Sequence, residues 1–171
     1  MSGHSKWSQI KHKKGVTDQK RGQLFSKLSK NITLAARNGT DPKMNVPLAN
    51  AIAQARAMNM PNDNIERAIK KTTDKSSSQL AEILIEAIGP GGVALKIKGV
   101  TDNSNRTIAE VKNILGGHSA KMVQPGSISW MFNTPVELGP ADQLKLDALY
   151  EALDNNDDID DVNSNLLENP V

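Results

Sequence analysis

Residues 89–100, GPGGVALKIKGV, mark the point at which the pattern of the chain changes. In the segment VALKIKGV large apolar residues alternate with Ala and Lys, and a period of two is typical of a strand with one face in water. The preceding segment EILIEAI, residues 82–88, predicts a second strand, and the intervening GPGG predicts a turn. This stretch therefore predicts a β-hairpin.

Before the hairpin, the apolar residues recur with the period of a helix. Three helices are expected: one from Thr17 to a stop at Asn38 and Gly39, one from about Val46 to Met58 with Asn45 as its cap, and one after Pro61. The segment TTDKSSSQ, residues 72–79, predicts a linker.

After the hairpin, helical and strand patterns alternate. A helix is expected from about Asn105 to Leu115, where Thr107 and Glu110 have the spacing of a capping box. The rest predicts, in order, a strand over SISWMF, a short strand near PVEL, a helix over ADQLKLDALYEAL and a strand near IDDVNSNL. The predicted fold class is α+β: a small helical bundle over residues 1–75, then an α+β sandwich of ferredoxin-like type over residues 76–171.

Charge is unevenly distributed between these halves. Residues 1–75 contain fifteen Lys and Arg against five Asp and Glu, a net charge of +10. Residues 76–171 contain six against fourteen, a net charge of −8. Clustered Lys and Arg favour binding to a polyanion, because each phosphate contact releases condensed counterions. The first half is therefore expected to bind nucleic acid, and the acidic remainder to face away from it.

The basic residues begin in GHSKWSQIKHKKG, residues 3–15, and continue on the first helix opposite its apolar side chains. Trp7 either stacks on a base or anchors the segment to the bundle, and the anchor is favoured. With 3% aromatic residues, the chain is expected to gain its affinity mainly from phosphates. The expected nucleic-acid contacts are His4, Lys6, Trp7, Lys11, His12, Lys13, Lys14, Lys20, Arg21, Lys27, Lys30 and Arg37.

Two segments of the acidic half are further candidate contact sites. Asn103, Asn105 and Arg106 lie at a predicted helix start, where side chains and backbone amides can meet phosphate, although ordinary capping explains them equally well. The predicted loop HSAKMVQPG, residues 118–126, pairs a basic Lys121 with an exposed Met122.

No motif of an enzyme, a cofactor site or a metal site is found. The GPGG turn lacks the Lys-Ser/Thr of a P-loop, the absence of Cys leaves a zinc site incomplete, and the acidic run at 154–161 lacks the Gly and Glu of an EF-hand. No apolar run resembles a secretory signal or a membrane span. We therefore expect a cytoplasmic, non-enzymatic protein with no cofactor, metal, small-molecule substrate or membrane partner.

Four long motifs resemble the YebC/PmpR family. They are GHSKWSQIKHKKGVTDQKRGQLFSKL, NMPNDNIERAIKK, GPGGVALKIKGVTDNSNRTIAEVKNIL and KMVQPGSISWMF, in the family's order. The resemblance implies a helical N-terminal domain joined to α+β domains, and a role in gene expression through nucleic acid. The family includes bacterial regulators long described as DNA-binding and the mitochondrial translational activator of cytochrome oxidase subunit one. Its mitochondrial and several bacterial members resemble translation factors that act on the ribosome, including at proline-rich stretches.

One departure from the family concerns the segment after Phe132. The family normally inserts a further α+β domain there, whereas here NTPVELGPADQLKLDALYEAL resembles the returning segment, so we expect the insert to be absent. No helix carries side chains suited to reading base edges, which favours structured RNA over duplex DNA. The expected partner is therefore ribosomal RNA or the ribosome, and the alternative is duplex DNA bound by a transcriptional regulator.

Overall fold

The computed structural model describes residues 17–167. These residues form two compact units: a helical unit of residues 17–82 with 100–103, and an α/β unit of residues 83–99 with 104–167. The predicted α+β fold class is confirmed.

The helical unit contains the three helices that the sequence predicts: α1 (Asp18–Ala36), α2 (Val46–Ala57) and α3 (Asn62–Lys70). Asn45 caps α2 by accepting a hydrogen bond from the Leu48 amide at 3.1 Å, and its Nδ2 donates to the carbonyls of Ala35 and Gly39, both at 2.8 Å. The cap therefore also fixes the end of α1 to the start of α2. The core of the unit is formed by Leu28, Ile32, Ala36, Leu48, Ile52, Ala55, Met60, Ile65 and Ala68.

The segment predicted as a linker is instead ordered as two short 3₁₀ helices, Lys71–Thr73 and Lys75–Gln79. The Ser77 hydroxyl donates to the carbonyls of Thr72 and Asp74, at 3.1 and 2.7 Å. Ser and Thr are common in linkers, and they are also common in tight turns, where their hydroxyls bond to nearby carbonyls. Composition alone therefore did not distinguish a linker from these turns.

The α/β unit is built on a four-stranded sheet with the order β3-β1-β2-β4. The strands are β1 (Ala81–Ile88), β2 (Ala94–Thr101), β3 (Lys121–Met122) and β4 (Ile159–Ser164). β3 pairs antiparallel with β1, and β4 pairs antiparallel with β2. The predicted hairpin is confirmed: the Gly89 amide donates to the Val93 carbonyl at 2.8 Å, and Gly91 takes a φ of 66° in the turn.

Two helices, α4 (Ser104–Gly117) and α5 (Pro140–Asp154), supply the rest of the core. Alternate residues of β1 and β2, among them Ile85 and Ile97, are buried with apolar residues of both helices. The predicted capping box is wrong, because Thr107 lies inside α4, fully buried, and donates to Asp158. The intervening strand residues, such as Lys96 and Lys98, belong to the opposite face of the sheet, which we call the open face.

The segment SISWMF does not form the predicted strand. Residues Ser129–Asn133 form a 3₁₀ helix, with Ile128 buried before it and Trp130 68% exposed within it. Near PVEL, Val136 makes a single parallel bridge with Leu166. Residues 134–139 alone connect the 3₁₀ helix to α5.

Candidate nucleic-acid interface

The seven candidate residues from His4 to Lys14 lie outside the described residues. Over the described part of the basic half, residues 17–75, eleven Lys and Arg stand against five Asp and Glu, a net charge of +6. The helical unit is therefore basic by itself.

Helix α1 and Arg37, which directly follows it, carry the described candidates of the basic half. Arg21 and Arg37 are exposed, whereas Lys20 and Lys30 are half-buried. Lys20 and Arg37 lie seventeen residues apart, so at 1.5 Å per residue these cations extend over about 25 Å of helix. Arg21 also has a nearby carboxylate, since its Nη1 lies 3.9 Å from Oδ1 of Asp18 in an exposed pair.

Lys27 is a correction to the predicted basic face. Its residue surface is only 5% exposed, so this side chain does not share the solvent-facing surface expected from the helical spacing. Helical periodicity gives the angle of a residue around its own helix but not what packs against that angle. A cation buried to this extent belongs to the folded structure of the unit rather than to an outer phosphate-binding surface.

Arg37 also has a structural contact. Its Nη1 donates to the carbonyl of Leu80 at 2.7 Å, which links the end of α1 to the residue that precedes β1. A charge-assisted bond to a carbonyl leaves the other guanidinium donors in place for a phosphate. Arg37 is thus both a link within the helical unit and an exposed cation.

The helical unit exposes six further cations that sequence reasoning did not single out. Arg67 is held along α3 by bonds to the Asp63 carbonyl and the Asn64 side chain. The charge count of residues 1–75 indicated these residues only as a group, and three of them also lie in the motif NMPNDNIERAIKK, residues 59–71. They are Lys43, Arg56, Arg67, Lys70, Lys71 and Lys75.

At the start of α4, Arg106 is engaged with a carboxylate. Its Nη2 lies 2.9 Å from Oδ2 of Asp158, and the Thr107 hydroxyl donates to the same oxygen at 2.7 Å. Asp158 is only 5% exposed, so these bonds compensate for the burial of its charge. Asn105 is exposed, and the Asn103 amide donates to the Thr101 hydroxyl at 3.0 Å.

The predicted loop around Lys121 and Met122 contains the edge strand β3. Met122 is half-buried against the core, opposite Ala87 in the ladder, so its expected exposure is wrong. Lys121 is exposed and lies opposite Ile88. Because neighbouring residues of a strand point to opposite faces, one of the two contributes to the core and the other to the surface.

The two candidate segments of the α/β unit are not brought together. Asn105 and Arg106 lie in the first turn of α4, whereas Lys121 follows the end of the same helix. A helix of fourteen residues is about 21 Å long, so the two segments lie at opposite ends of it.

Residues 17–167 contain neither a metal-binding cluster nor a membrane-spanning helix. No group of three or more His, Asp or Glu side chains there is arranged to hold a metal ion. No helix in this range is both long and apolar enough to cross a lipid bilayer.

Two family models match the chain. Residues 5–75 match the N-terminal domain of TACO1/YebC proteins, and residues 80–135 match their second and third domains. The chain is 44% identical over 168 residues to a probable transcriptional regulatory protein of Solibacter usitatus, covering 92% of this chain and 68% of that protein. A protein of Maridesulfovibrio salexigens with the same description is 49% identical over 134 residues, covering 78% of this chain and 54% of that protein.

A solved structure resembles the fold. The crystal structure of a conserved hypothetical protein from Aquifex aeolicus matches with a TM-score of 0.82 at 28% identity, covering 95% of this chain and 97% of that one. The chain spans about half to two thirds of the length of the curated relatives described above. From these matches in sequence and fold, the chain belongs to the TACO1/YebC family.

Proposed function

We propose that the chain is a non-enzymatic, nucleic-acid-binding regulator of gene expression. The observation that carries the proposal is the segregation of charge: a net of +10 over residues 1–75 and −8 over residues 76–171. Within the described part of the basic half, Arg21, Arg37 and the six cations outside α1 are exposed. A surface of this kind gains affinity from phosphates through counterion release.

The preferred partner is ribosomal RNA, with the chain acting in the cytoplasm as a translation factor. The exposed cations of the helical unit lie on α1, α2 and α3, between α1 and α2, and in the 3₁₀ helices after α3, rather than along one helix. A duplex-reading protein places three or four side chains of a recognition helix against base edges. Scattered Lys and Arg side chains suit the phosphates of a folded RNA, which is recognised largely by its shape.

The alternative is a transcriptional regulator that binds duplex DNA. The observation that favours it is the description of the relatives as probable transcriptional regulatory proteins. Phosphate contacts alone do not distinguish the two partners, because both are polyanions.

The two partners are separated by a direct comparison. The full chain is sedimented with purified ribosomes, and its shift of random duplex DNA is measured at the same salt concentration. Co-sedimentation at a salt concentration that abolishes the DNA shift supports the ribosomal partner. A DNA shift that persists where ribosome association is lost supports the alternative, and the absence of both contradicts the proposed function.

A further inference from the structure

Residues 123–136, which we call the crossing segment, pass over the open face of the sheet. The Gly126 amide donates to the Glu86 carboxylate of β1 at 2.6 Å, and the Phe132 ring lies 4.7 Å from Nζ of Lys96 in β2. At its far end, Val136 bridges Leu166, beyond β4. The segment thus proceeds from the β3 edge across β1 and β2 towards the β4 edge.

The 3₁₀ helix of the crossing segment is held firmly against the sheet. Nδ2 of the buried Asn165 donates to the carbonyls of Met131 and Thr134, at 3.1 and 3.0 Å, while its Oδ1 accepts from the Ala94 amide at 2.8 Å. Ile128, before the helix, is only 2% exposed. The backbone on both sides of Trp130 is therefore fixed.

Trp130 lies in the middle of this fixed turn with 68% of its surface exposed. The indole of Trp is among the largest apolar side chains, and its burial would stabilise the fold. An exposed indole does not make this contribution. Trp130 and Phe132 are two of the five aromatic residues of the chain. A rigidly presented aromatic ring loses little conformational entropy when a flat ligand stacks on it.

Two lysines of β2 lie on the face of the sheet that the crossing segment passes over. The Lys96 ammonium lies over the Phe132 ring, two residues from Trp130. Lys98, the next residue on the same face of β2, is exposed and lies opposite Asp161 of β4, a carboxylate that offsets part of its charge. Lys96 is opposite the uncharged Asn163. The charge over the Phe132 ring is therefore positive.

We infer that Trp130 is a stacking site for an unpaired base of single-stranded nucleic acid, with Lys96, beside Phe132 of the same turn, for the backbone phosphate. An aromatic ring next to a cation is the arrangement by which proteins bind single strands, because every base has a π-face and every nucleotide a phosphate. A protein partner would also cover an exposed Trp, but the cation beside Phe132, two residues along the same turn, favours a polyanion. The inference rests on the proposed function and adds a base contact to the phosphate contacts of the helical unit.

The test compares two probes on the full chain: a labelled oligouridylate and inorganic polyphosphate, which has charge but no bases. Trp130→Ala removes the ring, and Trp130→Phe retains a flat ring at the same place. Leu144→Ala is the matched control, because Leu144 is an exposed apolar residue of the same unit, 71% exposed on α5. Thermal unfolding of each variant verifies that the fold is retained.

We expect Trp130→Ala to weaken oligouridylate binding by about tenfold, the loss typical of one stacked base, and to leave polyphosphate binding unchanged. Trp130→Phe should restore most of the affinity, and Leu144→Ala should behave as the native chain. Unchanged oligouridylate binding by Trp130→Ala would overturn the inference and leave the proposed function intact. If the native chain bound neither oligouridylate nor polyphosphate, both this inference and the proposed function would be overturned.

Discussion

The buried carboxylate of Glu86 accepts a hydrogen bond from the backbone amide of Gly126, forty residues later in the chain, at 2.6 Å. The carbonyl of Glu86 accepts a second bond, from the Val123 amide at 2.9 Å. One residue of β1 therefore fixes both ends of the turn at residues 123–126, where the chain leaves the β3 edge and begins to cross the open face.

Replacing Glu86 by Ala should release this turn. The Gly126 amide would lose a charge-assisted hydrogen bond, so we expect the free energy of unfolding to fall by about 1.5–3 kcal/mol and the exchange of this amide to accelerate. Glu82→Ala, at an exposed position of the same strand, is the control and should change the stability by no more than about 0.5 kcal/mol. Equal stability of the two variants would contradict the role given to Glu86.

Gly99 is required by a close approach of two strands. A Cβ placed on it would lie 2.0 Å from the carbonyl oxygen of Asp158, at the irregularity where β2 meets β4. Backbone cannot yield as a flexible side chain does, so Gly99→Ala should destabilise the fold by about 1–3 kcal/mol or more. Gly116→Ala provides the contrast: the position has nothing within 4 Å and lies in α4, so the change should stabilise by about 0.5–1 kcal/mol. Chemical denaturation measures both, and similar effects of the two substitutions would refute this account.

The sequence pattern was sufficient to predict the five helices α1 to α5 and the hairpin, because each buries its own apolar stripe or alternate residues in a core. It failed for SISWMF. Ile128, Trp130 and Phe132 alternate as strand residues do, but the turn is held by Asn165, more than thirty residues away in the chain. A long-range side-chain bond of this kind leaves no local pattern in the sequence.

The candidate site was likewise predicted only in part. The basic character of the helical unit follows from counting charges, whereas the burial of Lys27 and the pairing of Arg106 with Asp158 depend on which elements meet in the fold. Met122 was misjudged because a two-residue strand is too short to show a period.

Tyr150 should lower the free energy of unfolding at alkaline pH. Burial raises the pKa of this phenol from 10.0 to about 12, although a hydrogen bond with Ser164 acts in the opposite direction. Between these two pH values the unfolded chain loses the phenol proton while the folded chain retains it, so rising pH favours unfolding. A pKa difference of this size corresponds to about 2–3 kcal/mol lost between about pH 10 and 12.

Tyr150→Phe should remove this part of the alkaline destabilisation. Tyr150 is the single tyrosine of the chain, so the ultraviolet difference spectrum of tyrosinate reports its ionisation directly. We expect the native chain to form tyrosinate only as it unfolds, and the Phe variant to lose less stability over the same pH range. Ionisation of the folded protein near pH 10 would show that the side chain is hydrated.

The last prediction concerns which cations contact phosphate. Combined replacement of Lys20, Arg21 and Lys30 by Gln should weaken binding to structured RNA and flatten its salt dependence. The slope of log K against log salt concentration is negative, and each lost phosphate contact reduces its magnitude by somewhat less than one. The fold should be retained, since none of the three side chains is fully buried. Lys27→Gln should instead lower the stability, because Lys27 is only 5% exposed.

Arg106→Gln is the comparison variant: the sequence makes this cation a candidate for phosphate contact, whereas in the structure it is paired with Asp158. Its loss leaves a buried carboxylate less well compensated, but Arg106 is half in solvent, so we expect a moderate destabilisation of about 1–2 kcal/mol. The salt slope of RNA binding should not change. The slope counts displaced counterions, whatever the stability of the fold. If its magnitude fell for Arg106→Gln and stayed constant for the triple variant, the phosphate-binding surface would lie at the start of α4 and not on α1.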